Sequence, residues 1–303
     1  MCGLKWLLVP QAVIVARSGS RRGLADLKRA AALLSSSGVT IAQTHIVPNR
    51  DALRTCVTHA VRSHAEVIVV CGGDGSQSAA VDVMAHSDSV LGIIPAGTGN
   101  SFAQSLHIKP SLEDAVAVIA AGVMACIDLP RANETHFANF ATVGLAAEIA
   151  VETPRALKRT TGPLAYALAA ITPVLTHRPF GCKVKWDKKK VLKMVTDQIV
   201  VGRYFGAEPI LGSVTPFDGR LAFFASRAGG IWNLLRSYVA LLRGTPRRLS
   251  DAHCFSARKI KIKTDGPQPV ALDGSDFGET PVTFSVARRA LKVFVPRELL
   301  ETA

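Results

Sequence analysis

Apolar and polar positions follow two different rhythms along the chain, and the change falls near Ile127. Before it, short continuous apolar runs alternate with stretches whose apolar residues recur at helical spacing. Val13 to Ala16 reads as a strand ending in the turn Arg17-Ser18-Gly19-Ser20, Leu24 to Leu34 as a helix and Val39 to Ile46 as a strand. A helix capped by Asp51 is predicted through His64, with Leu53, Val57, Ala60 and Val61 on one face. Val67 to Cys71 and Val90 to Ile94 are apolar throughout, as strands buried on both faces of a parallel sheet must be. Helices are expected over Ser76 to Ala85 and Leu112 to Gly122. Strands and helices in this alternating order predict a parallel sheet covered by helices.

Beyond Ile127 the pieces are short, strand-like and bounded by Gly and Pro. They run from Phe137 to Val143, Lys183 to Trp186, Thr196 to Val201, Gly219 to Ala225, His253 to Ile262, Pro269 to Leu272, Val282 to Val286 and Leu291 to Val295. This is the pattern of an antiparallel β-domain. Two apolar helical segments interrupt it, Leu164 to Leu175 and Ile231 to Leu242. The second carries Trp232 and Tyr238 with Arg236 and Arg243, which suits either core packing or a membrane interface.

Charge sharpens this picture. Net charge is +13, which calls for an anionic partner. The excess is regional: Arg155 to Lys193 holds ten Lys/Arg against Asp187, and Arg227 to Lys263 holds nine against Asp251. Nucleic acid, phospholipid headgroups and nucleotide phosphates all fit such a charge, and nucleic acid is the weakest of them, because no aromatic-basic platform or groove-reading motif is present. No apolar run reaches the ~18 residues that span a bilayer. The opening run from Trp6 to Ala16 is interrupted by Pro10-Gln11, so it reads as a first strand and not as a signal peptide. The six cysteines show no zinc spacing and read as reduced thiols. A cytoplasmic protein peripherally bound to membrane is expected.

Two turns carry the chemistry. Gly72-Gly73-Asp74-Gly75-Ser76 follows the run Val67 to Cys71 and opens a helix. Glycines there let backbone approach a phosphate, and N–H groups at a helix start face an anion. Asp74 would repel phosphate, so it is expected to hold a magnesium shell or to orient the turn. Pro95-Ala96-Gly97-Thr98-Gly99-Asn100-Ser101-Phe102-Ala103 follows Val90 to Ile94, with Thr98 and Asn100 as side-chain donors. Both turns belong at the carboxyl ends of their strands, the edge where open α/β sheets bind ligands.

These two segments resemble the GGDGT and P-x-GT-x-NDFA signatures of the diacylglycerol kinase catalytic family, which includes bacterial YegS-like lipid kinases and the sphingosine and ceramide kinases. Asn139-Phe140-Ala141-Thr142-Val143-Gly144, Pro216-Phe217-Asp218-Gly219, Leu272-Asp273-Gly274 and the segment from Arg289 to Pro296 are similar to later motifs of the same family. The resemblance implies an α/β nucleotide-binding domain over 1–127, akin to NAD kinase. It further implies an antiparallel β-sandwich lipid domain over 128–288 and a last segment, 289–303, returning toward the first domain. It implies ATP and Mg²⁺ as cofactors and a lipid alcohol as substrate, with a homodimer left open. By the same resemblance the nucleotide residues are Ser18, Gly19, Thr44, Gly72, Gly73, Asp74, Gly75, Ser76, Gln77, Ser78, Gly97, Thr98 and Asn100. Asp218 is the metal candidate, and Asp273, Asp276 and Asp74 are the catalytic ones. Ser275 stands where the family has glutamate, so Asp273, with Asp276 as second choice, is expected to accept the lipid hydroxyl proton. A silenced member that binds nucleotide or membrane is the alternative, and an NAD kinase is disfavoured by the second turn.

Overall fold

The computed structural model describes residues 11–18, 23–152, 177–187 and 190–301. The expected helix from Leu164 to Leu175 and the candidate residue Gly19 lie outside the described residues. By contact, the chain divides into two compact units. One is the chain up to Leu129 with Pro216–Asp218 and the segment from Ala287 onward. The other is Pro130–Thr215 with Gly219–Val286.

In the first unit, strands β1 (Gln11–Arg17), β2 (Thr40–Val47), β3 (Val67–Gly72) and β4 (Val90–Pro95) pair in parallel in the order β2-β1-β3-β4. The central strands are apolar because both faces are covered. Every residue of β3 is buried, and β4 is buried up to Ile94. Helices α1 (Gly23–Ser36) and α5 (Leu112–Ala120) pack together, as do α2 (Arg50–Arg62) and α3 (Asp74–Met84). The cap of α2 is Asn49, whose side chain accepts from Ala52 N at 2.8 Å; Asp51, the expected cap, sits in the first turn. The short helix α4 (Ser101–Ser105) follows β4.

The second unit has two layers. One sheet runs β14 (Ala252–Ala257), β13 (Leu221–Ser226), β10 (Gln198–Gly202), β7 (Phe140–Gly144), β16 (Pro269–Leu272) and β17 (Ser275–Glu279) in spatial order, all antiparallel. In the other layer, β18 (Val282–Phe294) begins beside β15 (Lys259–Thr264), followed by β8 (Phe180–Trp186) and β9 (Lys190–Thr196). Phe223, Ile199 and Val143 from the first layer meet Phe180, Ile260 and Phe284 from the second in one apolar core. The helix Gly230–Leu242 covers the outer face of the first layer, where Leu241 joins Phe224 and Val200.

Two sequence expectations divide differently in the fold. The run from His253 to Ile262 is two strands, β14 and β15, placed in different sheets. Conversely, the two last pieces are one strand, β18, which takes a left-handed residue at Arg289 (φ 51°) and ends parallel to β4. No helix among the described residues is long and apolar enough to cross a membrane.

Candidate active site

Parallel register brings the two glycine turns to one level. Cys71 is paired with Ala16 and Ile94, and Gly72 with Pro95, so both turns leave the same carboxyl edge of the sheet. They touch through bare backbone. A Cβ added to Gly97 would stand 2.6 Å from the Gly73 Cα, and one added to Gly73 would stand 3.0 Å from the Gly97 Cα. Glycine is therefore required at both positions by the turns' own packing.

Asp74 joins the same construction. Its Oδ1 accepts from Phe102 N at 3.0 Å, in the first turn of α4, so its charge caps the helix after the second turn. Asn100 closes the second turn on itself. Left-handed at φ 50°, it accepts from Gly97 N and donates to Gly97 O, both at 2.8 Å. One N–H and one acceptor site of its amide hold the turn, and a second Nδ2–H remains on the group. Gln77 is likewise internal, with Nε2 donating to Val70 O at 2.9 Å, and Ser78 is buried in α3.

What remains open is the start of α3. Gly73 is its N-cap and supplies no side chain to its first turn. Beyond its own helix, no atom of the described residues lies within 4 Å of a Cβ placed on Gly75. Ser76 Oγ is buried with no hydrogen-bond partner among the described residues, and Thr98 is exposed. A helix start that lacks a cap, faces free space and is flanked by hydroxyls can hold phosphate oxygens. Ser18 reaches the same edge, where its N–H donates to Val47 O at 2.9 Å. Thr44 does not. It pairs with Ile14, three positions before the strand end, roughly 10 Å short of the edge, and β2 is the outermost strand. A cavity of about 940 Å³ between β2 and α2 includes neither glycine turn.

In the second unit, Asp273-Gly274 forms the two-residue turn between β16 and β17, with both residues left-handed (φ 47° and 72°). This is the type I′ geometry that Asp-Gly favours in hairpins. The Asp273 carboxylate reaches back to β7. Its Oδ2 accepts from Ala138 N at 2.7 Å, and its Oδ1 from Asn139 N at 2.8 Å and Phe140 N at 3.1 Å. The row of amides at 138–140 is the partner that sequence reasoning did not find, although both motifs were visible. Three N–H groups on roughly four acceptor sites leave one lone pair, on Oδ2. Asp276 is exposed and accepts from Gly278 N at 3.2 Å.

Asp218 sits half-buried at the end of the Pro216–Asp218 segment of the first unit. Among the described residues, no three His, Cys, Asp or Glu side chains converge as a metal site. A magnesium ion held mainly by substrate phosphates needs only one or two carboxylates from protein.

A family model described as the diacylglycerol kinase catalytic domain matches residues 11–132. One described as the YegS C-terminal NAD kinase beta sandwich-like domain matches 139–295, more than half of the chain. The chain is 29% identical over 258 residues to the diacylglycerol kinase of Bacillus subtilis (strain 168), covering 80% of this chain and 84% of that one. It is 24% identical over 246 residues to the diacylglycerol kinase of Staphylococcus aureus (strain Newman), covering 80% and 78%. In fold it is similar to a crystal structure of a diacylglycerol kinase from Bacillus anthracis (TM-score 0.74, 20% identity, 97% and 100% covered). It is also similar to an NAD kinase from Archaeoglobus fulgidus in complex with ATP (TM-score 0.55, 13% identity, 96% of each).

Proposed function

The chain belongs to the diacylglycerol kinase catalytic family, and on that premise we propose that it is an ATP-dependent lipid kinase that phosphorylates the hydroxyl of a diacylglycerol-like or sphingoid-like lipid. The observation carrying this reading is the pair of interlocked glycine turns beside the uncapped start of α3. ATP with Mg²⁺ supplies the phosphoryl group and neutralises its charge. The first turn of α3, the space at Gly75, and the hydroxyls of Ser76 and Thr98 bind and orient the phosphates, with Ser18 at the same edge. Asp74 and Asn100 keep the two turns in register. Gln77 and Ser78 support from inside the helix, and Thr44 has no part.

Asp273 takes the hydroxyl proton on Oδ2. Three backbone amides fix the carboxylate, so its remaining lone pair has a set direction. Asp276 is the second candidate and Asp218 the carboxylate proposed to face a metal. Phosphoryl transfer depends mainly on positioning and charge, so Ser275 in place of glutamate is compatible with turnover. The lipid acts from a membrane to which the protein binds peripherally.

Labelled ATP offered with a panel of lipid alcohols in mixed micelles tests the proposal. Transfer to at least one is expected. ATP binding without transfer, with activity appearing in Ser275→Glu, would instead support a silenced member that retains only binding.

A further inference from the structure

The two basic stretches, separated in sequence by residues 194–226, meet in the fold. Strand β8 comes from the first and β15 from the second, and they pair antiparallel in the outer layer of the sandwich. Lys185 stands opposite Lys261, and Lys183 stands opposite Lys263 on one side and Lys193 of β9 on the other. The alternation is strict: Cys182, Val184, Ile260 and Ile262 are buried in the core, whereas Lys183, Lys185, Lys259, Lys261 and Lys263 are exposed. With Lys193, six lysines share one outward face. Among the described residues none of them makes an ion pair to a carboxylate. Two acids border the face: the backbone N–H of Asp187 donates to Lys259 O and that of Asp265 to Gly181 O.

Like charges directly opposite one another weaken a sheet. Lysine on an outermost strand guards against edge pairing, but that accounts only for β9. Lys183, Lys185, Lys261 and Lys263 are on interior strands. A second feature lies on the same face. An open groove of about 620 Å³ is lined by Lys183, Lys193 and Lys263 together with Val195 and one carboxylate, Asp265. Val191 and Val195 of β9 are 49% and 54% exposed, and Val191 faces Lys185 across the strands.

We propose that this lysine wall is the face on which the protein docks to an anionic phospholipid surface, with the lysines on headgroup phosphates and the valine edge entering the interface. Choosing a bilayer over another polyanion rests on the lipid-kinase reading. Lysine is a compact point charge suited to mobile headgroups, and exposed valines have no use on a phosphate track. A second exposed apolar surface, around Trp232 on the helix Gly230–Leu242, covers the opposite layer; its flanking cations are fewer, Arg236 being held by Asp251 and Arg243 standing exposed at the helix end.

The test is sedimentation of the full chain with vesicles of phosphatidylglycerol and phosphatidylcholine in equal parts, beside phosphatidylcholine alone. The variant Lys183→Gln/Lys185→Gln/Lys263→Gln is compared with Lys28→Gln/Arg62→Gln/Lys109→Gln. The latter has the same net charge and substitutes exposed residues of the other unit. Each lysine near an anionic surface is worth about fivefold in partitioning, so the wall variant should lose roughly a hundredfold, salt-dependently. The control should lose little, and the wall variant should melt no lower than wild type. Wild-type-like binding by the wall variant, equal loss in the control, or wild-type binding to RNA but not to anionic vesicles would overturn the proposal. Vesicle binding is measured without ATP. Wall-dependent binding therefore supports the docking face even if no lipid is phosphorylated, a result that would count against the kinase reading alone.

Discussion

Gly75 and Gly97 belong to the two sequence motifs yet face opposite demands. Gly97 has the Gly73 Cα where its own Cβ would go, so Gly97→Ala must push two backbones apart. A loss of about 1–3 kcal/mol in urea unfolding is expected, typical of overpacking. Gly75 lies within α3 and faces nothing within 4 Å among the described residues, so Gly75→Val should leave the unfolding midpoint unchanged or higher. If phosphates occupy that space, calorimetry should find ATP binding weakened about tenfold or more, the equivalent of ~1.4 kcal/mol. Undiminished binding in Gly75→Val would move the nucleotide elsewhere. Asp273→Asn makes a different pair of predictions. An amide nitrogen cannot accept from a backbone N–H, so one of the three bonds to 138–140 is lost and the fold weakens by about 1–3 kcal/mol. If Asp273 is also the proton acceptor, turnover measured below the melting transition falls about 10²–10⁴-fold with ATP affinity intact. Residue types in the motifs were legible from sequence, but their partners were not. Whether Asn100 points at ligand or at Gly97 depends on a left-handed backbone angle, and no spacing rule reveals it.

At the scale of elements, sequence periodicity located the strands well where both faces are buried and poorly where the chain changes sheets. Nothing in the alternation from His253 to Ile262 announces two layers except the adjacent exposed pair Arg258-Lys259, where the parity of buried positions slips between Ala257 and Ile260. Strand β17 escaped notice because its residues are half-buried or exposed and carry no apolar alternation. Register is what the lysine wall depends on, since a one-residue slip of β8 would turn its lysines inward. Cys182 reports on that register. It is 5% exposed, and burial pushes its thiol up to about 11. Near pH 8 only a small fraction would be thiolate, so iodoacetamide should leave Cys182 unmodified in the native protein, while a cysteine introduced by Lys183→Cys is alkylated readily. Peptide mapping by mass spectrometry distinguishes the two sites, and the opposite labelling pattern would mean that β8 faces the other way.

For the molecule as a whole, the decisive feature is that the first unit is not continuous in sequence. Its sheet continues past β4 into the end of β18, where Lys292 and Val293 pair in parallel with Val90 and Leu91. Val295 N donates to Val123 O at 3.0 Å, and Leu291, Val293, Phe294, Val295 and Leu299 are all at most 3% exposed. A fragment ending at Leu129 therefore lacks five core side chains. At ~1.5–3 kcal/mol each, their burial is worth on the order of 10 kcal/mol. A domain's entire net stability is about 5–15 kcal/mol. The fragment also leaves β4 as an unpaired apolar edge, a template for aggregation. The expectation is that residues 1–129 alone do not fold to a cooperative, ATP-binding unit, and that adding a peptide of residues 287–303 in trans recovers dispersed amide resonances and a sigmoidal melt. Such recovery should be lost when Phe294 and Leu299 in the peptide are replaced by serine, since apolar burial supplies the affinity. A cooperative melt from the fragment alone would show instead that the closing strand adds little to the nucleotide unit, and the arrangement of the chain would then need a reason other than stability.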